Sequence, residues 1–285
     1  MQVFGSDSFG ESLARFLGAD FERIEKTVFP DFEVRPRILA EKLHNRVIIA
    51  ERMKVPTDPN AYLVEVLFEI MTLRDMGAKS VEVVMPYFVY SRQDKSFRQG
   101  EPFSAQYVVD ILKFAGARRI YVVESHTQND FNAIVNVSGF RAIGKYFHSL
   151  GMKESVIIAP DEKAERGARI VAEEIGGALC VLRKKRDRET GEIETRAGDV
   201  PQGNRAIIVD DIVSSGRTML NAVKIAKKHG MNEIYCAVVH PITQRGIFDV
   251  SKEATKFFAC NTVDSALSVI PVEQLVAEEI KRYPL

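Results

Sequence analysis

The chain alternates two kinds of segment, and that alternation constrains its fold more than any other feature. Short apolar runs read as strands buried on both faces: RVIIA (46–50), SVEVVMPYF (80–88), RIYVVES (119–125), SVIIAP (155–160), AIIVDD (206–211) and EIYCAVVH (233–240). Between them lie amphipathic stretches with helical spacing. In 60–76, Leu63, Leu67, Ile70, Met71 and Arg74 recur at that period, and 104–114, 162–175 and 218–229 read alike. Four joints share one pattern: DMGAKSVEVV, FAGARRIYVV, EIGGALCVL and KHGMNEIYCAVV. A glycine ends each helix, because it enters the left-handed region without steric cost, and a strand follows. Such repeated βαβ winding predicts an α/β protein with mainly parallel sheets flanked by helices. The pattern recurs on both sides of about residue 140. The expectation is two similar domains, 1–141 and 142–270, with a C-terminal amphipathic helix in 271–285 packing back on the first.

Composition narrows the function. A length of 285 residues suits two domains. Lys plus Arg and Asp plus Glu both number 39, so formal net charge is +0. That balance argues against nucleic acid as a bulk partner, which needs excess cations. Cys180, Cys236 and Cys260 sit in apolar runs (ALCVL, IYCAVV, FFACN), as buried thiols of a reducing compartment do. No Cys/His spacing suggests zinc. The opening MQVFGSDSFGES lacks a basic region followed by an apolar run, so no signal peptide is expected. No apolar stretch approaches the ~20 residues of a membrane span. A cytoplasmic protein with no membrane partner is expected.

Ligands of such sheets bind beyond the carboxyl ends of strands, so the segments after each apolar run carry the chemistry. The sharpest is AIIVDDIVSSGRTM (206–219). A strand delivers Asp210 and Asp211. The small, hydroxyl-rich loop Ser214-Ser215-Gly216-Arg217-Thr218 then opens a helix. Backbone N–H groups at a helix start make an anion site, and the acids stand where they can bond sugar hydroxyls. Together they suit a phosphorylated sugar. The bland alternative is a capped helix after an ordinary strand. Neither the P-loop pattern nor G-x-G-x-x-G occurs, so neither phosphate-binding fold is supported.

Three further clusters have a functional and a bland reading. Arg92, Gln93 and Asp94 lie in a cation-rich stretch with Lys95 and Arg98, suited to a triphosphate or to a solvated basic loop. His126 and Asp161 each lie just beyond an apolar run, as Mg²⁺ ligands or as structural residues. The run RKKRDRETGEIETR (183–196) is the densest charge cluster, and alone reads as a solvated hairpin turning at Gly191.

The 206–219 segment resembles the phosphoribosyl pyrophosphate motif of type I phosphoribosyltransferase folds. Six further segments narrow the resemblance to the ribose-phosphate pyrophosphokinases: FGSDSFGESLARFLG (4–18), FPDFEVRPR (29–37), MPYFVYSRQDKSFRQGEPFSA (85–105), ESHTQNDF (124–131), APDEKAERGAR (159–169) and RKKR (183–186). They come in family order and span residues 4 to 240. Length and the SSGRT variant look most like archaeal members. The resemblance implies two type I phosphoribosyltransferase-like domains. It also implies transfer of the β,γ-diphosphoryl group of ATP to O1 of ribose 5-phosphate. It assigns Phe29, Asp31, Phe32, Glu33, Arg92, Gln93 and Asp94 to ATP, and His126 and Asp161 to Mg²⁺. Lys184 and Arg186 become catalytic, on a mobile loop. Ribose 5-phosphate falls to Arg186, Asp210, Asp211, Ser214, Ser215, Gly216, Arg217 and Thr218. The 29–33 segment would reach a neighbouring subunit's site, which implies a homo-oligomer, at least a dimer. Five residues depart from the family pattern: Phe32 replaces a glycine, Glu124 an aspartate, Lys163 a glycine, Ser214 an acid, and Arg217 a small residue.

Two other functions share parts of this pattern. A base phosphoribosyltransferase has the VDD-type motif without the 29–33 and 92–98 segments. A non-enzymatic regulatory relative would not need Lys184, Arg186, His126 and Asp161.

Overall fold

The computed structural model describes residues 1–56, 58–126, 131–186, 193–197 and 200–284, the side chains of 184–186 and 193–197 excepted. The chain forms two units, Met1–Val137 with Val272–Leu285, and Ser138–Pro271.

The first unit runs β1 (Gln2–Gly5), α1 (Ser8–Leu17), β2 (Asp20–Val28), β3 (Val34–Ile38), β4 (Arg46–Ala50), β5 (Met53–Lys54), α2 (Pro59–Asp75), β6 (Ser80–Val84), α3 (Ser104–Ala115), β7 (Ala117–Val123) and β8 (Ile134–Val137). Seven strands form a sheet in the order β3-β2-β1-β4-β6-β7-β8. All neighbours are parallel except the β2–β3 hairpin at one edge. The central strands are the continuous apolar runs, buried along their length. Strand β6 is shorter than its apolar run, which continues to Phe88. Met85 N–H still donates to Tyr121 O at 2.9 Å and Val123 N–H to Pro86 O at 3.0 Å, but Pro86 has no N–H with which to carry the ladder on.

Glu82, in the middle of β6, is fully buried and holds two arginines. Arg46 Nη2 lies 2.8 Å and Arg119 Nη1 3.4 Å from its carboxylate, and the Tyr121 hydroxyl donates to it at 3.0 Å. This network anchors the last helix of the chain. Arg119 lies over the Tyr283 ring at 5.0 Å, and Lys281 Nζ donates to Phe16 O at 2.7 Å.

The second unit runs α4 (Gly139–Ser149), β9 (Val156–Ala159), α5 (Glu165–Ile175), β10 (Ala178–Arg186), β11 (Ile193–Ala197), β12 (Arg205–Ile212), α6 (Arg217–Lys228), β13 (Glu233–His240), α7 (Gln244–Glu253), β14 (Lys256–Cys260), β15 (Val263–Asp264) and β16 (Ser268–Ile270); α8 (Glu273–Arg282) then returns to the first unit. Its sheet has the order β11-β10-β9-β12-β13-β14-β16, again parallel apart from one edge hairpin, β10–β11. The four glycines at the helix-to-strand joints, Gly77, Gly116, Gly176 and Gly230, all have positive φ. All three cysteines are buried.

The two sheets share one plan, and their registers superpose. Gln2 pairs with Asp20 and Val47, as Val156 pairs with Ala178 and Ala206. Counting along from those pairs, Asp7 falls on Asp161, Glu51 on Asp210 and Lys26 on Lys184.

Candidate active site

Strand β12 carries Asp210 and Asp211 at its carboxyl end, where the parallel sheet opens. The Asp211 N–H donates to Asp210 Oδ1 at 2.9 Å. Burial pushes the Asp210 carboxyl well above the usual carboxylate range, and the nearby charges of Asp211 and Asp161 push it the same way. These acids are crowded together, an arrangement that a bound cation relieves.

The loop beyond them turns sharply into α6. Gly216 has φ of 75°, and no side chain caps the helix. Ser214, Ser215 and Arg217 are exposed around the start of α6, whose first-turn N–H groups have no partner within the helix itself. The loop is held from below by α7. A Cβ on Gly216 would stand 2.5 Å from Gly246 O, and one on Gly246 would collide with Ser214 O. Gly246 escaped the sequence reading. Its only trace was an isolated glycine inside a helical stretch.

Asp161 follows β9. Its Oδ1 accepts from the N–H groups of Lys163 (3.1 Å) and Ala164 (3.3 Å), leading into α5. Lys163, where the family has glycine, keeps this turn. His126 follows β7 in the first unit and is exposed. Glu124, two residues earlier, holds φ of 42° while its N–H pairs with Val137 O at 2.8 Å. Among the described residues no three His, Cys, Asp or Glu side chains form a ready metal cage.

The other nucleotide candidates lie in the first unit. Residues 29–33 are the tip of the β2–β3 hairpin. Phe32 N–H donates to Phe29 O at 2.9 Å and Phe29 N–H to Glu33 O at 2.8 Å. Pro30 begins the turn, Asp31 Oδ1 accepts from Glu33 N, and Phe32 sits left-handed at φ 69°. That position in such a three-residue loop prefers glycine, which explains the glycine of the family pattern. Phe32 is 83% exposed and Arg35 lies over the Phe29 ring at 5.2 Å.

Arg92 and Gln93 line an open cleft of about 740 Å³ with Tyr90, Phe97, Arg98 and Glu101. Two arginines and two aromatic residues line one open space, and arginine can bind phosphate oxygens in a bidentate fork. Gln93 is also a structural pin. Its Nε2 donates to Pro102 O at 3.0 Å and its Oε1 accepts from Ser104 Oγ at 3.3 Å, which fixes the loop to the start of α3. Glu101 Oε2 accepts from the N–H groups of Phe97 and Arg98 and shapes the far wall. Tyr90, Phe97 and Glu101 were not singled out in the sequence, where nothing separates them from loop residues.

Lys184 and Arg186 lie on β10, and their backbone pairs antiparallel with Thr195 and Ile193 of β11. Their side chains, and the turn at Gly191, fall outside the described residues. No helix among the described residues is long and apolar enough to cross a membrane.

Comparison with known proteins agrees with this architecture. Residues 2–116 match the model for the N-terminal domain of ribose phosphate pyrophosphokinase, and 133–275 match the phosphoribosyl transferase domain. The ribose-phosphate pyrophosphokinase of Methanothermobacter thermautotrophicus is 34% identical, covering 97% of each chain. That of Saccharolobus solfataricus is 30% identical, over 95% of this chain and 96% of its own. Among solved structures, the phosphoribosylpyrophosphate synthetase of Mycobacterium smegmatis has the same fold, with a TM-score of 0.82, 23% identity and coverage of 98% and 97%. With both domains matched in order and full-length relatives at 30% identity or more, the chain belongs to the ribose-phosphate pyrophosphokinase family.

Proposed function

We propose that the chain transfers the β,γ-diphosphoryl group of ATP to O1 of ribose 5-phosphate, giving 5-phospho-α-D-ribose 1-diphosphate and AMP for nucleotide biosynthesis. The observation that carries this reading is the uncapped start of α6 directly after the Asp210–Asp211 pair. An anion site and two sugar-directed carboxylates then lie within one strand–loop–helix segment.

The sugar O1 attacks the β-phosphorus, the bond to the AMP oxygen breaks in line, and the O1 proton leaves to solvent. Such transfers depend on positioning and charge neutralisation more than on covalent catalysis. Asp210 and Asp211 accept from the ribose hydroxyls. The N–H groups and hydroxyls of 214–218, with Arg217, hold the 5-phosphate. Arg92 and Gln93, with Asp94 nearby, hold the nucleotide phosphates. Phe29 and Phe32 offer rings to the adenine, and Asp31 and Glu33 belong to the same hairpin tip. Lys184 and Arg186 neutralise charge on the transferring group. Asp161 and His126 are the ligands through which Mg²⁺ would be held, and the bound ion would offset phosphate charge. The assembly we infer is a homo-oligomer in which the 29–33 hairpin serves a neighbouring site. The three buried cysteines support a cytoplasmic enzyme.

The test is a product assay with ATP, Mg²⁺ and ribose 5-phosphate. AMP and the diphosphorylated sugar should form in equal amounts. A chain that forms neither, but joins a base to the diphosphorylated sugar with release of pyrophosphate, is instead a base phosphoribosyltransferase.

A further inference from the structure

Tyr90 bends the chain where a side chain resists bending. It follows Phe88 and Val89, both buried beyond the end of β6, and its φ is 63°. A bulky residue keeps the left-handed region only where its surroundings hold it there, and such residues gather at functional sites. Tyr90 is 37% exposed, so packing alone does not hold it. Its hydroxyl does, by donating to Asn60 Oδ1 at the start of α2, 30 residues away along the chain.

The Asn60 amide can face only one way. Its Nδ2 donates to Asp58 Oδ1 at 2.7 Å, and its backbone N–H donates to the same oxygen at 2.8 Å. Asp58 is the N-cap of α2. With the amide nitrogen committed to a carboxylate, the amide oxygen is the atom turned to Tyr90. Tyr90, Asn60 and Asp58 thus tie the cleft loop to the first turn of a long helix.

The loop needs that tie because of Arg92. Its side chain makes no ion pair or hydrogen bond among the described residues, so the backbone around it sets its direction. Gln93, on one side, is pinned to Pro102 and Ser104. On the other side, Tyr90 O accepts from Gln93 N–H at 3.1 Å, which places Arg92 inside the turn that Tyr90 opens.

We propose that Tyr90 is a positioning residue for the nucleotide: its hydroxyl, latched to Asn60, holds the bend that aims Arg92 into the cleft. The inference rests on the reading of this cleft as the ATP site. With the latch broken, the loop spends part of its time with Arg92 turned away, and apparent affinity falls with the competent fraction.

Steady-state kinetics with ATP varied at saturating ribose 5-phosphate tests it, on Tyr90→Phe, Asn60→Ala and the double variant. Each single variant should raise the KM for ATP by about threefold to tenfold, the equivalent of one lost hydrogen bond. Asn60 lies outside the cleft, so Asn60→Ala should leave kcat near wild type. The double variant should be no worse than either single one, because both break the same bond. Melting temperatures should stay close to wild type, since the bond lies at the surface. Singles that keep the wild-type KM, or whose effects multiply in the double variant, overturn the latch and leave the ATP reading standing. If the wild type shows no turnover, calorimetric titration of Mg²⁺ and ATP onto the same variants reads the same shift. A wild type that binds no ATP overturns both.

Discussion

Gly216 and Gly246 meet backbone to backbone, one at the start of α6 and the other in the first turn of α7. A Cβ on either would strike the other's segment, at Gly246 O or at Ser214 O and Gly216 N. The 214–216 loop is therefore shaped from beneath by α7. Gly246→Ala should push residues 214–216 outward. The KM for ribose 5-phosphate should rise by roughly tenfold or more, with stability lowered by about 1–3 kcal/mol from overpacking. Steady-state kinetics with ribose 5-phosphate varied at saturating ATP checks it. An unchanged KM would mean the loop shape does not govern phosphate binding.

Phe32 makes a prediction of opposite signs. Its φ of 69° is a conformation that a side chain bears at a cost, and its ring is mostly in water. Phe32→Gly should raise stability by about 1 kcal/mol, the order of strain relieved. If the ring serves the nucleotide, the KM for ATP should rise in the same variant. A more stable protein with unaltered ATP kinetics would assign the ring no part in nucleotide binding.

Glu69 governs a pH dependence. It is fully buried, and burial holds its carboxyl well above the usual value of 4.5, with Glu51 and Glu65 adding repulsion and Lys26 opposing. Between 4.5 and that raised value the folded chain keeps a proton that the unfolded chain gives up. Stability contributed by this group is therefore full at acid pH and is lost as pH rises through the folded pKa. Glutamine has no proton to lose, so Glu69→Gln should gain on wild type between about pH 5 and about pH 8. Urea unfolding at the two pH values measures the difference. A variant that loses ground over that window would show the carboxylate to be charged and paired.

The fold could be read from the sequence wherever strands were buried on both faces. RVIIA and EIYCAVVH became β4 and β13 without change, because nothing but a central parallel strand suits so continuous an apolar run. The edge hairpin β2–β3 could not be seen that way. DFERIEKTV is half solvent-exposed and carries charge at positions 20, 22, 23, 25 and 26, so no periodicity rises above its polarity. Asp210, Asp211 and the 214–218 loop were legible because their chemistry lies in one contiguous segment. Gly246 was not, because its role depends on where α7 packs. Nor was the internal correspondence between the sheets, which resides in strand register and leaves only one residue type shared at each of two matched positions.

Lys26 and Lys184 occupy the same place in the two sheets, on β2 and β10, and their expected roles diverge. Lys26 Nζ lies 2.8 Å from Glu51 Oε2 and 2.9 Å from Glu65 Oε2, with only 22% of its side chain exposed. Glu51 also accepts from Ser6 Oγ at 2.8 Å, and nearby Asp7 is paired with Arg52. The first unit has filled its own strand-end crevice with ion pairs. Lys26→Met should therefore strand buried carboxylates and cost about 3 kcal/mol or more of stability. Its kinetics should stay near wild type at temperatures where it is folded. Lys184→Ala should do the reverse. It should leave the melting temperature close to wild type and lower kcat by roughly 10²-fold or more, the loss of several kcal/mol at the transition state. Binding of ribose 5-phosphate should change little, which calorimetry without ATP would measure. A Lys184→Ala variant that turns over normally would remove β10 from the chemistry. One that simply unfolds would make Lys184 a structural lysine like Lys26.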